Sequence, residues 1–261
     1  MRPDIKQVGF KKAHIKRQFD RSAYRYDQVA GMQKKIANDL LEYSSLSVCP
    51  SNILDAGCGT GYGLELLIKA YPRAIFTGLD LASSMLEVAQ TNKPQVQFKQ
   101  GDIEQLPFEG EMFDLTWSSS AIQWCDTNTA IDELVRVTRP SGQIVLSTFT
   151  KGTLQNWRKL WSLENTQRFV WPEDVVSAFN DAGISNLRTI TKTYTQTFRS
   201  FKSAVSSIRD LGAGNAEESR SRGLFGIDRY KAIKAKVDNT ISVDGELELP
   251  YFVTFVIAEK L

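Results

Sequence analysis

Asp55-Ala56-Gly57-Cys58-Gly59-Thr60-Gly61-Tyr62-Gly63, DAGCGTGYG, follows the apolar run Asn52-Ile53-Leu54 and puts four glycines into nine residues. Glycines after a strand let the backbone approach a ligand closely, and the helix that follows offers unpaired N–H groups and a positive dipole end. Outward from this loop, short β-rich runs (52–56, 74–79, 96–100, 113–118 and 143–149) alternate with helical patterns (62–70, 83–92 and 129–138). Strands separated by roughly 10–15-residue helical patterns predict βαβ units feeding a parallel sheet, hence an α/β fold. Pro140-Ser141-Gly142 reads as a turn between the third of these helices and the fifth strand.

After Thr150 the rhythm changes. A polar, Trp-rich piece (151–171) leads into a helix over 172–182, with Pro172 where its missing N–H costs nothing. A β-rich run over 187–198, a helix near 202–211 and a closing strand over 251–258 (YFVTFVIA) follow. The Gly-rich stretch LGAGNAEESRSRGLFG (211–226) between the last two is expected to be a mobile loop. The expectation is one domain over 1–261: an N-terminal helical cap segment (1–48), a ligand-binding core (52–149), then cap insertions and terminal strands (150–261).

The loop departs from the dinucleotide fingerprint G-x-G-x-x-G, because Tyr62 stands where the third glycine belongs. Asp55 would repel a pyrophosphate and suits a ligand bearing an ammonium group. Asp80, closing the second strand, stands at about the spacing at which a carboxylate meets ribose hydroxyls, where charged acceptors bind strongly. Asp102, closing the third, can take an adenine amino group while Ile103 packs on the ring. Any one of these acids alone also has a plainer reading as a turn or helix cap. Three at successive strand ends, where ligands bind in such sheets, are harder to read together as caps alone.

Composition excludes several chemistries. Histidine occurs once, at His14 in a lysine-rich segment, so Ser-His-Asp hydrolysis or a two-histidine metal site would have to use that residue. Cys49, Cys58 and Cys125 form no C-x-x-C pair, and no metal is expected. The net charge of +2 and the lack of a separate basic domain argue against nucleic acid. No stretch has the ~18 apolar residues of a membrane span, and no signal peptide is evident, so a cytoplasmic protein without membrane contact is expected. Basic residues crowd the N-terminus (Lys6, Lys11, Lys12, Lys16, Arg17, Arg21 and Arg25 among them), which reads as a solvated face or a landing surface for an acidic partner.

DAGCGTGYG, LDLASSMLEVA, GDIEQLPF and FDLTWSS, in that order, resemble the motifs of class I S-adenosylmethionine-dependent methyltransferases. The resemblance implies a Rossmann-like seven-stranded sheet with helices on both faces and a helical cap, YFVTFVIA supplying a final antiparallel strand. It implies S-adenosyl-L-methionine as cofactor, the Gly57 carbonyl on the methionine ammonium, Asp80 on the ribose, Leu81 and Ile103 around the adenine, and Asp102 on its amino group. Asp55, Cys58, Gly59, Gly61, Met85, Ser118 and Gln33 complete the expected cofactor surface.

FDRSAYRYDQVAGMQ (19–33), SSSAIQWC (118–125), IRDLGAGN (208–215) and the C-terminal PYFVTFVIA resemble, more narrowly, the malonyl-[acyl-carrier protein] O-methyltransferases of biotin synthesis. The implied acceptor is the free carboxylate of a malonyl thioester on acyl carrier protein. A carboxylate is ionised at neutral pH and needs no general base, consistent with the scarcity of histidine. Arg209 is the expected anchor for that carboxylate and Tyr26 the expected cover over the methionine end of the cofactor, the two forming the catalytic and acceptor-binding pair with Gln123 and Trp124 at the floor. An acidic carrier would dock on the basic N-terminus, on Lys151, Arg158 and Lys159, or on Arg199 and Lys202; the protein is expected to be a monomer. A methyltransferase of the same fold acting on another small carboxylate or a quinone precursor is the alternative.

Overall fold

The computed structural model describes residues 12–44, 49–160, 169–210 and 225–261. Two helices, α1 (Lys12–Val29) and α2 (Gly31–Ser44), precede the first strand. The alternation then runs β1 (Asn52–Ala56), α3 (Tyr62–Ala70), β2 (Ile75–Asp80), α4 (Ser83–Asn92), β3 (Gln97–Gln100), β4 (Phe113–Ser119), α5 (Thr127–Val137) and β5 (Thr138–Phe149). It continues through α6 (Gln155–Leu160), α7 (Pro172–Asp181), β6 (Leu187–Phe198), α8 (Phe201–Asp210), α9 (Phe225–Asp244) and β7 (Leu247–Glu259).

The strands form one seven-stranded sheet in the order β3-β2-β1-β4-β5-β7-β6. β1 to β5 pair with one another in parallel, and β7 runs antiparallel to both β5 and β6. Side chains alternate across a strand, so each central strand feeds two cores. Ile53, Trp117, Val145 and Phe255 point to the face covered by α2, α3, α8 and α9. Leu54, Ala56, Ile144 and Val256 point to the face covered by α5 and α7, where Ile131, Leu134, Val175 and Phe179 meet them. α1 packs separately against the start of α4 through Ala23, Ala82 and Met85.

Several expectations change. Pro140-Ser141-Gly142 is no turn ahead of a strand, because β5 already begins at Thr138. The ladder jumps from Phe113↔Thr138 to Leu115↔Gln143, so these residues form a bulge inside the strand, with Ser141 at φ 60° and its N–H donated to the Lys260 carbonyl. A proline, having no N–H to give, is tolerated in a sheet at such a bulge. α5 starts two residues before the expected position because the Asp126 carboxylate caps it, accepting from the Thr129 N–H at 3.0 Å. α9 is a 20-residue helix where the sequence suggests none. The expected loop over 211–226 lies, up to residue 224, outside the described residues.

Candidate functional site

The glycine loop is tied to the strand beside it. The Gly57 and Cys58 N–H groups both donate to the Leu79 carbonyl, at 2.7 and 2.9 Å. The two Asp80 oxygens divide their work: one accepts from the Gly59 N–H at 2.9 Å, the other from the Ala82 N–H at 2.8 Å at the start of α4. Gly57 has φ 80°, and a Cβ there would lie 2.4 Å from the Ala121 Cβ, so only glycine lets the loop lie against that residue. At Gly63 a Cβ would lie 2.7 Å from an Asp55 oxygen, which places this carboxylate beneath the first turn of α3.

Asp55 is 2% exposed and accepts the Leu64 N–H. Burial, reinforced by the neighbouring Asp80, pushes its pKa up to about 8. Burial raises Asp80 as well, against the lowering effect of the Ala82, Gly59 and Leu81 N–H groups. Two carboxylates held this way store an electrostatic demand for positive charge or for a donor nearby.

The loop forms one wall of a cleft enclosing about 1350 Å3, its open mouth included. Tyr26, Asp27 and Gln33 line it from α1 and α2; Asp80, Leu81 and Met85 from the β2 end; Asp102 and Ile103 from the β3 end. Gln123 and Trp124, in the short turn after β4, continue the wall with Ser119 and Ser120. Phe19 packs edge-on against both Trp124 and Tyr26, with ring centroids 5.5 and 6.3 Å away. The Thr60 hydroxyl donates to Asp27 at 3.0 Å and so fastens the glycine loop to the end of α1. Burial, then Asp80 and Asp27, raise the Tyr26 phenol, which therefore stays protonated and can donate.

Of the expected site residues, Tyr26, Gln33, Asp55, Gly57, Cys58, Gly59, Asp80, Leu81, Met85, Asp102, Ile103, Gln123 and Trp124 all line this cleft. Ser118 does not: it is 1% exposed, its hydroxyl donates to the Ala56 carbonyl at 2.8 Å, and Ser119 and Ser120 take its place. Gly61 is likewise absent from the lining and starts α3 in a left-handed conformation, φ 87°. The Arg209 backbone belongs to α8, and its side chain lies outside the described residues. His14 pairs with Gln18 at 2.9 Å along α1 and is not among the lining residues.

Asp102 already has a partner. Lys12 reaches it at 3.0 Å and Glu104 at 2.5 Å, with the Cys125 sulfur at 3.7 Å. Asp102, Glu104 and Cys125 lie close enough together to hold a metal, but the ammonium among them already supplies the positive charge. Burial pushes the Cys125 thiol up to about 12, against the lowering effect of Lys12 beside it.

Orphaned polar atoms test whether the cleft fits a polar ligand. Among the described residues five buried side-chain polar atoms have no partner: Gln33 Oε1, Trp117 Nε1, Ser120 Oγ, Gln143 Oε1 and Tyr251 Oη. All except Gln143 belong to residues lining this one cleft. Buried polar groups are rarely left unpaired, so such a concentration marks a surface built to be completed by a ligand. The ammonium-seeking acids, the glycine cradle and these donors and acceptors fit a nucleoside with an amino acid tail. Trp117 and Tyr251 are not among the sequence-derived candidates; an aromatic residue in an apolar strand carries no signal that its polar atom will be stranded.

The family model described as "Methyltransferase domain" matches residues 54–146. A malonyl-[acyl-carrier protein] O-methyltransferase of Herminiimonas arsenicoxydans is 34% identical over 247 residues, covering 93% of this chain and 94% of its own. Among solved structures, the YcgJ protein of Bacillus subtilis superposes with a TM-score of 0.61 at 18% identity, over 87% of this chain and 98% of its own. A phosphoethanolamine N-methyltransferase of Haemonchus contortus, solved in complex with phosphomonomethylethanolamine and S-adenosylhomocysteine, gives 0.62 at 16% identity, over 94% of this chain and 60% of its own. At these identities the two structures speak for the fold alone.

Proposed function

Because the chain belongs to the family of malonyl-[acyl-carrier protein] O-methyltransferases, we propose that it methylates the free carboxylate of a malonyl group carried as a thioester on acyl carrier protein. The observation that carries this reading is the 34% identity sustained over 93% of the chain, which takes in the cap as well as the cofactor-binding core. S-adenosyl-L-methionine is the proposed donor, and when bound it supplies a methyl group on a positively charged sulfur. Transfer of that methyl to the acceptor carboxylate would make an O–CH3 bond as the C–S bond gave its electron pair to sulfur, and the opposite charges would cancel.

No proton moves in that balance, so the protein's task is to position and to exclude water. Asp80 and Asp102 are the proposed holders of the ribose and the base. Asp55 and the Gly57 backbone face the amino acid tail, and Gln33, with an unpaired buried oxygen, accepts from it. Asp102 turns from Lys12 to the ligand or shares itself between them, since a carboxylate has room for more than one donor. Tyr26, kept neutral, closes the methionine end and shields the sulfonium from water. Arg209, at the end of α8, is the proposed anchor of the malonyl carboxylate, gripping one oxygen while the other attacks. Lys151, Arg158, Lys159, Arg199 and Lys202 are the candidate contacts for an acidic carrier.

Arg209→Met tests the anchor. Turnover of the malonyl carrier should collapse while cofactor affinity by calorimetry stays within twofold. Unchanged turnover would remove Arg209 from the site.

A further inference from the structure

Tyr251 is a buried phenol that the reaction as described does not use. It lies on β7, opposite Tyr194 of β6, and is 2% exposed. Its ring lies 5.8 Å from Phe149, and its hydroxyl has no hydrogen-bond partner among the described residues. The segment after β5 is zipped onto β7, with the Thr150 N–H on the Phe252 carbonyl at 2.8 Å and the Leu154 N–H on the Pro250 carbonyl at 2.9 Å. That zipper brings Leu154 to the same end of the cleft, with Phe149 and Phe169. The result is an apolar chamber with one stranded O–H.

Strand spacing separates this chamber from the glycine loop. β7 is three steps from β1 and four from β2 in the sheet order. At about 4.8 Å per step, the axis of β7 lies roughly 14 Å from that of β1, which carries Asp55, and roughly 19 Å from that of β2, which carries Asp80. Tyr251 therefore serves whatever enters from the acceptor side. Burial raises its pKa, so it acts as a donor and not as a base.

We infer that the Tyr251 phenol donates a hydrogen bond to the thioester carbonyl of the acyl substrate, making it a specificity-determining residue that recognises an acyl thioester. The inference rests on the proposed acceptor. A donor on the attacking carboxylate would withdraw charge from the nucleophile, whereas the thioester carbonyl takes no part in methyl transfer and can be gripped at no cost to the chemical step. The surrounding Phe149, Leu154 and Phe169 exclude the water that would otherwise compete for the phenol.

The test is Tyr251→Phe, which deletes one oxygen and keeps the ring. KM for the malonyl carrier should rise about tenfold, about 1.4 kcal/mol, with kcat and cofactor affinity within twofold of wild type. The melting temperature should stay the same or rise, because the deleted hydroxyl has no protein partner to lose. An unchanged KM overturns the inference, as does a lowered melting temperature with kcat and KM moving together, the mark of a merely structural tyrosine. Wild-type protein assayed alongside separates the two levels. If it fails to methylate the malonyl carrier, the acceptor assignment falls and this inference with it; if it succeeds and the variant matches it, only the inference falls.

Discussion

Replacing Asp55 by Asn should change how the stability of the ligand-free protein depends on pH. The Asp55 carboxyl is buried, pushed up to about 8, and 3.8 is its ordinary value. Between those two values the unfolded chain has released the proton and the folded chain keeps it. A folded state that binds one more proton loses stability as pH rises, by about 1.4 kcal/mol per pH unit. The loss begins near pH 4 and ends near pH 8, where both states are ionised. Asn keeps the shape and an oxygen to accept the Leu64 N–H, and it titrates nowhere in this window. Urea unfolding of both proteins at pH 5, 6 and 7 therefore has a defined outcome. Wild type should lose about 3 kcal/mol relative to Asp55→Asn over those two units, and the variant should be the more stable protein at pH 7. Parallel curves would refute the reasoning: they would mean that Asp55 is ionised in the folded protein near its ordinary pKa, already compensated by some other group.

Gly57→Ala forces a side chain into a left-handed conformation, at a cost of about 1–2 kcal/mol, and into the Ala121 Cβ at 2.4 Å. A lowered melting temperature together with lost cofactor binding is expected, and wild-type affinity would show that the loop does not approach its ligand there. Thiol labelling of the native protein at pH 8 should modify Cys49, which is exposed, and spare Cys58 and Cys125, whose thiols burial holds protonated. Rapid modification of Cys125 would contradict its packing beside Lys12. Thr60→Val removes the bond from the glycine loop to Asp27. It should raise the cofactor dissociation constant severalfold, about 1 kcal/mol for one hydrogen bond, and unchanged binding would detach α1 from the site.

The parallel core was legible because its signals are local. β1, α3 and α4 fall where the pattern puts them, since each is bounded by glycine, proline or a change in periodicity within a few residues. What failed depended on partners distant in sequence. Pro140-Ser141-Gly142 looks like a turn until Phe113 and Leu115 are laid beside it and the bulge appears. α9 buries only Ile233 and Val237 among its described side chains, too thin a stripe to announce a helix among so many polar residues. The acids at the strand ends line the cleft, as their spacing suggests, but the grip of Lys12 on Asp102, across 90 residues, left no trace in the sequence. Ser118 lies outside the cleft lining for a geometric reason. Adjacent strand residues face opposite sides, so a one-residue difference at the end of β4 exchanges a hydroxyl in the cleft for one on the Ala56 carbonyl.

The central claim is that this cleft brings a sulfonium methyl group to the carboxylate of a carrier-bound malonyl group. The direct measurement is transfer of labelled methyl from S-adenosyl-L-methionine to malonyl-acyl carrier protein, with acetyl-acyl carrier protein, malonyl-CoA and free malonate alongside. A base-labile methyl ester is expected on the malonyl carrier and no label on the acetyl carrier, which has no free carboxylate to accept it. Tight cofactor binding with no label on the malonyl carrier, or equal labelling of the acetyl carrier, would contradict it.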